Sequence, residues 1–557
     1  MPLKPVFEKA PLLPLQQVRL SYGQVRCDNR EVRELYDLCS RYFDVPAVFE
    51  GAFGLACLLT DNAYNEKITS VILESVHGII HGETNMNYRD QIAVARAAMA
   101  VYEYSVRKEI LADIMVWCSV LETEWEDLAA DRDVRQHPAD LMELLLRLYR
   151  ITGKRVLLRM CTRLRSSGMD WSGILNTFNQ PRPLKRSMTL AEIKDSMASE
   201  EYSEDKYYTR KYLSNDAVSL SDGMRFSICC ALYSGSGQQT AAAEKGWQSI
   251  SKQHGTVCGG TTADRLLEGN ATHRGISAAA AGSWCEALCC AMLTEKRPWA
   301  SDEVMKLALN AMPAAVRTGS VIPYQRVNDL RETPDDAGCF DPGQCDEHMI
   351  QCIARLSRGY AVLYHSAVSA TRGGLNINLP LDGKYAVSFD EQLCVLTIKK
   401  NIITLHSERN AQGQIGVTVS MNSDTDIHVN DETHYHAPRG NRIAIDREWN
   451  NGDTITIDMP LQLQAVETHH QGIAVYDGLR LLAYPAGVND YAYAICGDPV
   501  RDNGKVCIPV RRVIGWNVNG NILPDVQVAP KTDGEIKNIV LVPYSETDQR
   551  ISVFPKG

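Results

Sequence analysis

Two short stretches hold most of the residues able to do chemistry. The first runs from His254 to Cys290, HGTVCGGTTADRLLEGNATHRGISAAAAGSWCEALCC. It contains the glycine pair Gly259-Gly260, the acids Asp264 and Glu268, the thiol–acid neighbours Cys285 and Glu286, and further thiols at Cys289 and Cys290. The second, CFDPGQCDEHMIQCIAR from Cys339 to Arg355, supplies Cys345, the run Asp346-Glu347-His348 and Cys352. Asp264 and Glu268 lie four residues apart, so on a helix they share a face. Paired carboxylates suit glycoside hydrolysis, one giving a proton and the other acting as base or nucleophile; a solvated helix start with Arg265 as partner is an equally good reading. Cys285 and Cys289 have the i, i+4 spacing that can grip a metal, with Cys345 and Glu286 to complete the site. Alternatively, ALCCAML simply packs in a helical core. Glu286, inside an apolar helix, is costly to bury unpaired, so a ligand role, a catalytic role or a salt bridge is expected of it. Asp346, Glu347 and His348 offer a second carboxylate and an imidazole, or else the acids that favour a helix N-terminus.

Further candidates surround these stretches. Trp284 abuts the thiols and is expected to stack on a sugar face. Tyr324, Trp117 and Trp171 are weaker candidates for the same role, since core packing explains most tryptophans. The polar segment VHGIIHGETNMNYRD, with His77, His81 and Glu83, reads as a pocket rim. Alternation along a strand puts His434 and His436 on one face, but with no third ligand nearby they read as surface histidines, as do His469 and His470.

The surrounding elements must position these groups. A chain of 557 residues is too long for one core and calls for two to four domains. From Glu31 to Arg165 the apolar spacing is helical in segment after segment, with short polar connections. LMELLLRLYRITGKRVLL reads as two antiparallel helices joined at Thr152-Gly153-Lys154, and such a series of hairpins predicts a toroid with its site at one end. The charged, proline-broken stretch 180–215 is either a connector or a mobile loop over the pocket. After Gly373 the period changes to two, with turns such as Asn450-Asn451-Gly452-Asp453, which predicts an antiparallel β-sandwich or jelly roll. The boundaries predicted are an N-terminal arm 1–30, a helical domain 31–372, a sandwich 373–485 and a C-terminal β module 486–557. The net charge of −10 and the lack of a basic stripe argue against nucleic acid. No apolar run reaches the ~20 residues of a membrane span. Seventeen cysteines without an export signal predict a cytoplasmic protein with free thiols.

Several segments together resemble glycoside hydrolase family 127, the β-L-arabinofuranosidase-like proteins. REWNNGDTITIDMPLQLQAVETHHQGIAVYDGLRLLAY (Arg447 to Tyr484) is similar to that family's sandwich signature, and LVPYSETDQRISVFP (Leu541 to Pro555) to its closing strands. LMELLLRLYRITGKRVLL is similar to a mid-barrel hairpin, while LNAMPAAV (Leu309 to Val316) and GGLNINLPL (Gly373 to Leu381) fit the barrel exit. The resemblance implies an (α/α)6 barrel followed by β-sandwich domains. It also implies a zinc ion held by three cysteines and a glutamate, one of those thiolates being the nucleophile, with a second glutamate assisting the leaving group. On this sequence Cys285 takes the place of the cysteine in the family's Glu-x-Cys, but Ser283 stands at the glutamate position, and the nearest acid is Glu286. Cys345 fits the second thiol of the family's Cys-Cys pair, Gln344 stands at the nucleophile, and His348 at a following asparagine. Glu268 or Asp264 matches the assisting glutamate.

The reading is therefore a glycosidase acting on a short oligosaccharide and releasing a furanose or rare sugar of the L-arabinofuranose kind. The catalytic candidates are Glu268, Glu286, Asp264 and Glu347; the substrate-binding candidates are Trp284, His81, Tyr324 and His348. Zn2+ is the candidate cofactor, on Cys285, Cys345 and Glu286. The alternatives are a carbohydrate-binding relative that has lost its nucleophile, or a lyase or isomerase on the same barrel. The resemblance also suggests a homodimer joined through the β domains; charge and hydropathy, as above, predict no nucleic-acid or membrane partner.

Overall fold

Each helix of the N-terminal domain buries an apolar stripe that it cannot satisfy alone, so the helices pair and the pairs close into a ring. The computed structural model describes residues 17–181, 212–264, 266–272, 274–294, 299–329, 345–389, 391–430, 432–458, 462–468, 472–487, 492–514 and 531–557. Its principal helices are α1 (Arg30–Cys39), α2 (Pro46–Leu59), α3 (Asn62–Ile80), α4 (Tyr88–Ser105), α5 (Lys108–Thr123), α6 (Ala139–Thr152), α7 (Arg155–Ser167), α8 (Ala217–Ser234), α9 (Gly237–His254), α10 (Ala278–Thr294), α11 (Trp299–Lys306) and α12 (Cys345–Ala367). The even-numbered helices form the inner ring, each packed on the next and α12 closing against α2, which makes an (α/α)6 barrel. Glycines let the last contacts close: a Cβ on Gly282 of α10 would lie 2.2 Å from the Arg355 carbonyl oxygen of α12.

The two ends of the barrel differ. Inner helices hand over to outer ones through two residues at 60–61, 106–107, 153–154 and 235–236. The first residue of each turn is left-handed: Thr60 (φ 57°), Val106 (φ 57°), Gly153 (φ 70°) and Gly235 (φ 70°). At the opposite end the connections run from six residues (40–45) to forty-nine (168–216). This long-loop end, where the inner helices begin, is the open end.

The barrel rests on two β units. A five-stranded sheet runs in the order Val18–Arg19, Val368–Thr371, Gly374–Ile377, Ala411–Thr418, Arg442–Trp449, with a parallel pair between Gly374–Ile377 and Ala411–Thr418. A seven-stranded sheet runs from Thr433–Ala437 to Val25–Arg26. The N-terminal arm thus adds a strand to each sheet. One hydrophobic core continues from the barrel into this sandwich. Strands Leu463–Glu467, Gly472–Asp477 and Arg480–Pro485 join the C-terminal strands in a nine-stranded sheet with its own core around Val475, Ile508 and Phe554. This moves the division within the β region from the expected 485/486 to about residue 460. Period-two alternation marks strands but does not say which sheet they enter, because that depends on long-range pairing.

Asp302 of α11 ties the barrel to the sandwich. Its Oδ2 accepts from the Met421 backbone N–H (2.8 Å), the Ser420 hydroxyl (3.1 Å) and the Asn422 amide (3.1 Å). Asp302→Ala removes the acceptor shared by these three donors and is expected to cost about 0.5–1.5 kcal/mol, read as a lower denaturation midpoint; an unchanged midpoint would show that this joint contributes nothing.

Candidate active site at the open end of the barrel

Every inner helix sends at least one charged side chain to the barrel axis. Glu50 comes from α2, Arg96 from α4, Asp140 and Glu143 from α6, Asp222 and Arg225 from α8, Glu286 from α10, and Arg355 and Arg358 from α12. Arg96 contacts Glu50 (2.8 Å), Asp140 (3.1 Å), Glu143 (3.1 Å) and Glu286 (3.2 Å). Arg225 bonds Glu286 and Asp140. Arg358 reaches Glu286 (2.7 Å) and Asp140 (3.0 Å), and Arg355 clamps Asp222 through two bonds of 3.1 Å. Arg147 and Arg19 extend the system through Glu103. At the mouth, His137 Nδ1 lies 3.5 Å from Asp222, with a quarter of its side chain exposed.

Burial alone would push these carboxyls up; the guanidiniums outweigh it. Asp140 is held well below the usual carboxylate range by Arg358, Arg96 and Arg225, Asp222 by Arg355 and Arg225, and Glu143 at about 2 by Arg96 and Arg225. A carboxyl whose folded value is depressed contributes stability above its unfolded value, and that stability is lost as pH falls through the folded one. The melting temperature is therefore expected to fall steadily from about pH 5 to about pH 2; a flat calorimetric profile over that window would contradict the network.

The structure redistributes the sequence-derived candidates. Both carboxylate oxygens of Glu286 are engaged in salt bridges, with Arg96, Arg225 and Arg358. Cys285, one residue back, points about 100° away around the helix, with Sγ 3.7 Å from the Gly359 carbonyl oxygen in the α10–α12 contact. The two therefore do not converge on one ion, and among the described residues no group of three or more His, Cys, Asp or Glu could hold a metal. The donor set does not fit the expected zinc site. Cys345 opens α12, but its side chain, like that of Asp264, lies outside the described residues, as do Gln344, Asp346, His469, His470, Arg265 and most of the 180–215 stretch. Cys352 is buried, its thiol pushed up to about 12 by that burial, and sits 3.6 Å from His348 Nε2.

Asp264 and Glu268 do not share a helix face. Ala263–Asp264 pairs antiparallel with Leu266–Leu267, and Glu268 follows on the second arm. This hairpin docks on the start of α8: Leu266 bridges to Asp216, which caps that helix, and the Leu267 N–H donates to the Asn215 carbonyl. Glu268 is buried at the open end and ion-paired to Arg274, which is about a quarter exposed. Trp284 is no sugar platform, being fully buried with Nε1 donating to Thr261 Oγ1 (3.0 Å) and its ring edge-on to Trp247. Tyr324 is also buried, its hydroxyl accepting the Gly275 N–H at 2.9 Å. Trp117 and Trp171 belong to the core. His81 is exposed beside His77 on an open-end connection, and Glu347 is exposed on the first turn of α12. His434 and His436 share the surface carboxylate of Asp426 at 3.0 Å each.

Sequence reasoning missed Glu50, Arg96, His137, Asp140, Glu143, Asp222, Arg225, Arg355 and Arg358. The available signal was a lone charge, or a close Asp–Arg pair, within an otherwise apolar or small-residue helix, as in QIAVARAAMAV and SLSDGMRFSICC.

No protein-family model and no curated protein matches the sequence. Solved structures do. A structure described as a glycoside hydrolase superposes with a TM-score of 0.72 at 10% identity, covering 98% of both chains. A family 127 β-arabinofuranosidase gives 0.67 at 12% identity, again over 98% of both. The family 127 β-L-arabinofuranosidase of Geobacillus stearothermophilus T6 gives 0.62 at 12%, over 95% of this chain and 94% of that one. Over nearly its whole length, this chain has the fold of the family 127 β-arabinofuranosidases.

Proposed function

We propose that the chain is a glycoside hydrolase acting on a short oligosaccharide at the open end of the barrel, with an L-arabinofuranose-like sugar as the released unit. The observation that carries this reading is a fold likeness spanning both the barrel and its β units, with a buried carboxylate, Glu268, on the open-end hairpin. Glu268 passes a proton to the leaving oxygen as the glycosidic bond breaks. Water bonds to the anomeric carbon, and its proton goes to a second carboxylate, for which Glu347 on the first turn of α12 is the candidate. No step is assigned to zinc. The test is a panel of aryl glycosides and oligosaccharides, furanosides included: release of a monosaccharide supports the reading, and no turnover on any member overturns it.

A second reading has its own support. Glu286 is neutralised by guanidiniums and Cys285 turns away from it, which fits a carbohydrate-binding relative without hydrolysis. Sugar binding in calorimetry with no product from the same panel would select it.

A further inference from the structure

The closed end of the barrel holds a feature that the proposed reaction does not use. A cavity of about 220 Å³ runs from the axial Glu143, Arg225 and Glu286 along the second halves of α6, α8, α10 and α12 to Val18, Leu20 and Ala370; its three carboxylates, Glu103, Glu143 and Glu286, are each already paired with an arginine. Leu146, Ile151, Leu232, Leu293 and Val362 make much of its wall apolar.

Arg150, in the last turn of α6, lines this cavity and is only 8% exposed. Six guanidiniums of the charged system (Arg19, Arg96, Arg147, Arg225, Arg355, Arg358) face six carboxylates (Glu50, Glu103, Asp140, Glu143, Asp222, Glu286), so that system is balanced without Arg150. Among the described residues Arg150 has no ion pair, and its buried Nη2 has no hydrogen-bond partner. Burial without a carboxylate lowers it to about 10. Arg19, on the same wall, also keeps a buried nitrogen, Nη1, without a hydrogen-bond partner. A helix C-terminus favours a cation by about 0.3–1 kcal/mol, up to ~2 when partly buried; desolvating a guanidinium costs several. The dipole therefore offsets only part of the cost, and a bound anion would supply the rest.

We propose that this cavity binds a small organic anion, a carboxylate on a short aliphatic body, with Arg150 and the open Nη1 of Arg19 on the anionic head and the leucine-rich wall around the tail. The site is separate from the open-end carboxylates, so its test reads binding and not turnover.

Hexanoate is the probe, titrated calorimetrically into the full chain beside hexanol, a neutral analogue of equal length, and sulfate, an anion without a tail. Hexanoate is expected to bind at least ~10-fold more tightly than either control, and Arg150→Met to weaken it by about 10- to 100-fold, the worth of a charged hydrogen bond. Arg150→Met should also raise the melting temperature without ligand, since an unpaired buried charge is gone. Leu293→Phe, which fills the cavity and leaves the charges alone, should abolish hexanoate binding and decides the matter if the arginine variant does not fold. No binding of hexanoate to the unsubstituted chain, equal binding of sulfate or hexanol, or unchanged affinity in the variant that folds would overturn the proposal.

Discussion

Glu286→Gln is expected to destabilise the barrel by about 3–5 kcal/mol, the cost of breaking a buried ion pair by removing one partner. The substitution keeps the shape and one acceptor but removes the charge that Arg96, Arg225 and Arg358 share. All three guanidiniums are buried, so bulk water screens little of the charge left uncompensated. A buried pair is weak evidence for stability against a well-packed apolar alternative. The argument here concerns only the asymmetry of leaving one partner behind. Denaturant unfolding of the two proteins measures the difference. A loss below ~1 kcal/mol, as at an exposed pair, would mean that the axis is hydrated and that Glu286 is no keystone of the ring.

Glu268→Gln should behave in the opposite way. The hairpin holding Glu268 is fixed by backbone bonds to Asn215 and Asp216, which do not need the carboxylate. Folding should survive, with a modest cost at Arg274. Turnover should fall by about 10²- to 10⁴-fold, the contribution typical of a positioned proton donor. The fall should appear in kcat with KM little changed, because an amide of the same shape still occupies the site. A variant with wild-type kcat would remove Glu268 from the reaction.

The contrast between these two acids shows what a sequence can and cannot say. The architecture was legible because it rests on local signals: period 3.6 through the helical hairpins, the Thr152-Gly153-Lys154 turn, and the change to period two after Gly373. The sandwich strands at 463–485 were placed in the wrong sheet because their pairing partners lie some sixty residues downstream, at Thr532–Pro543 and beyond. At the site, a salt bridge for Glu286 was among the expectations, since a lone acid in AAAAGSWCEALCC must be compensated somehow. Its partners could not be named: Arg96, Arg225 and Arg358 lie on three other helices and meet it only once the ring closes. Asp264 and Glu268 have a spacing that fits a helix face, but the glycine- and threonine-rich CGGTT before them leads into a hairpin, and i, i+4 logic fails there. Trp284 is adjacent in sequence to the thiols and yet faces the outer helix α9 through Trp247, because neighbouring helix positions project in different directions.

Initial rates on the aryl-glycoside and oligosaccharide panel, measured side by side for the unsubstituted chain, Glu268→Gln and Cys352→Ser with folding verified by circular dichroism, test the central claim most directly. The account predicts sugar release by the unsubstituted chain and by Cys352→Ser, whose buried thiol is held protonated, and a loss of at least ~100-fold in Glu268→Gln. Full activity in Glu268→Gln together with an inactive, folded Cys352→Ser would contradict it and make a thiolate the nucleophile.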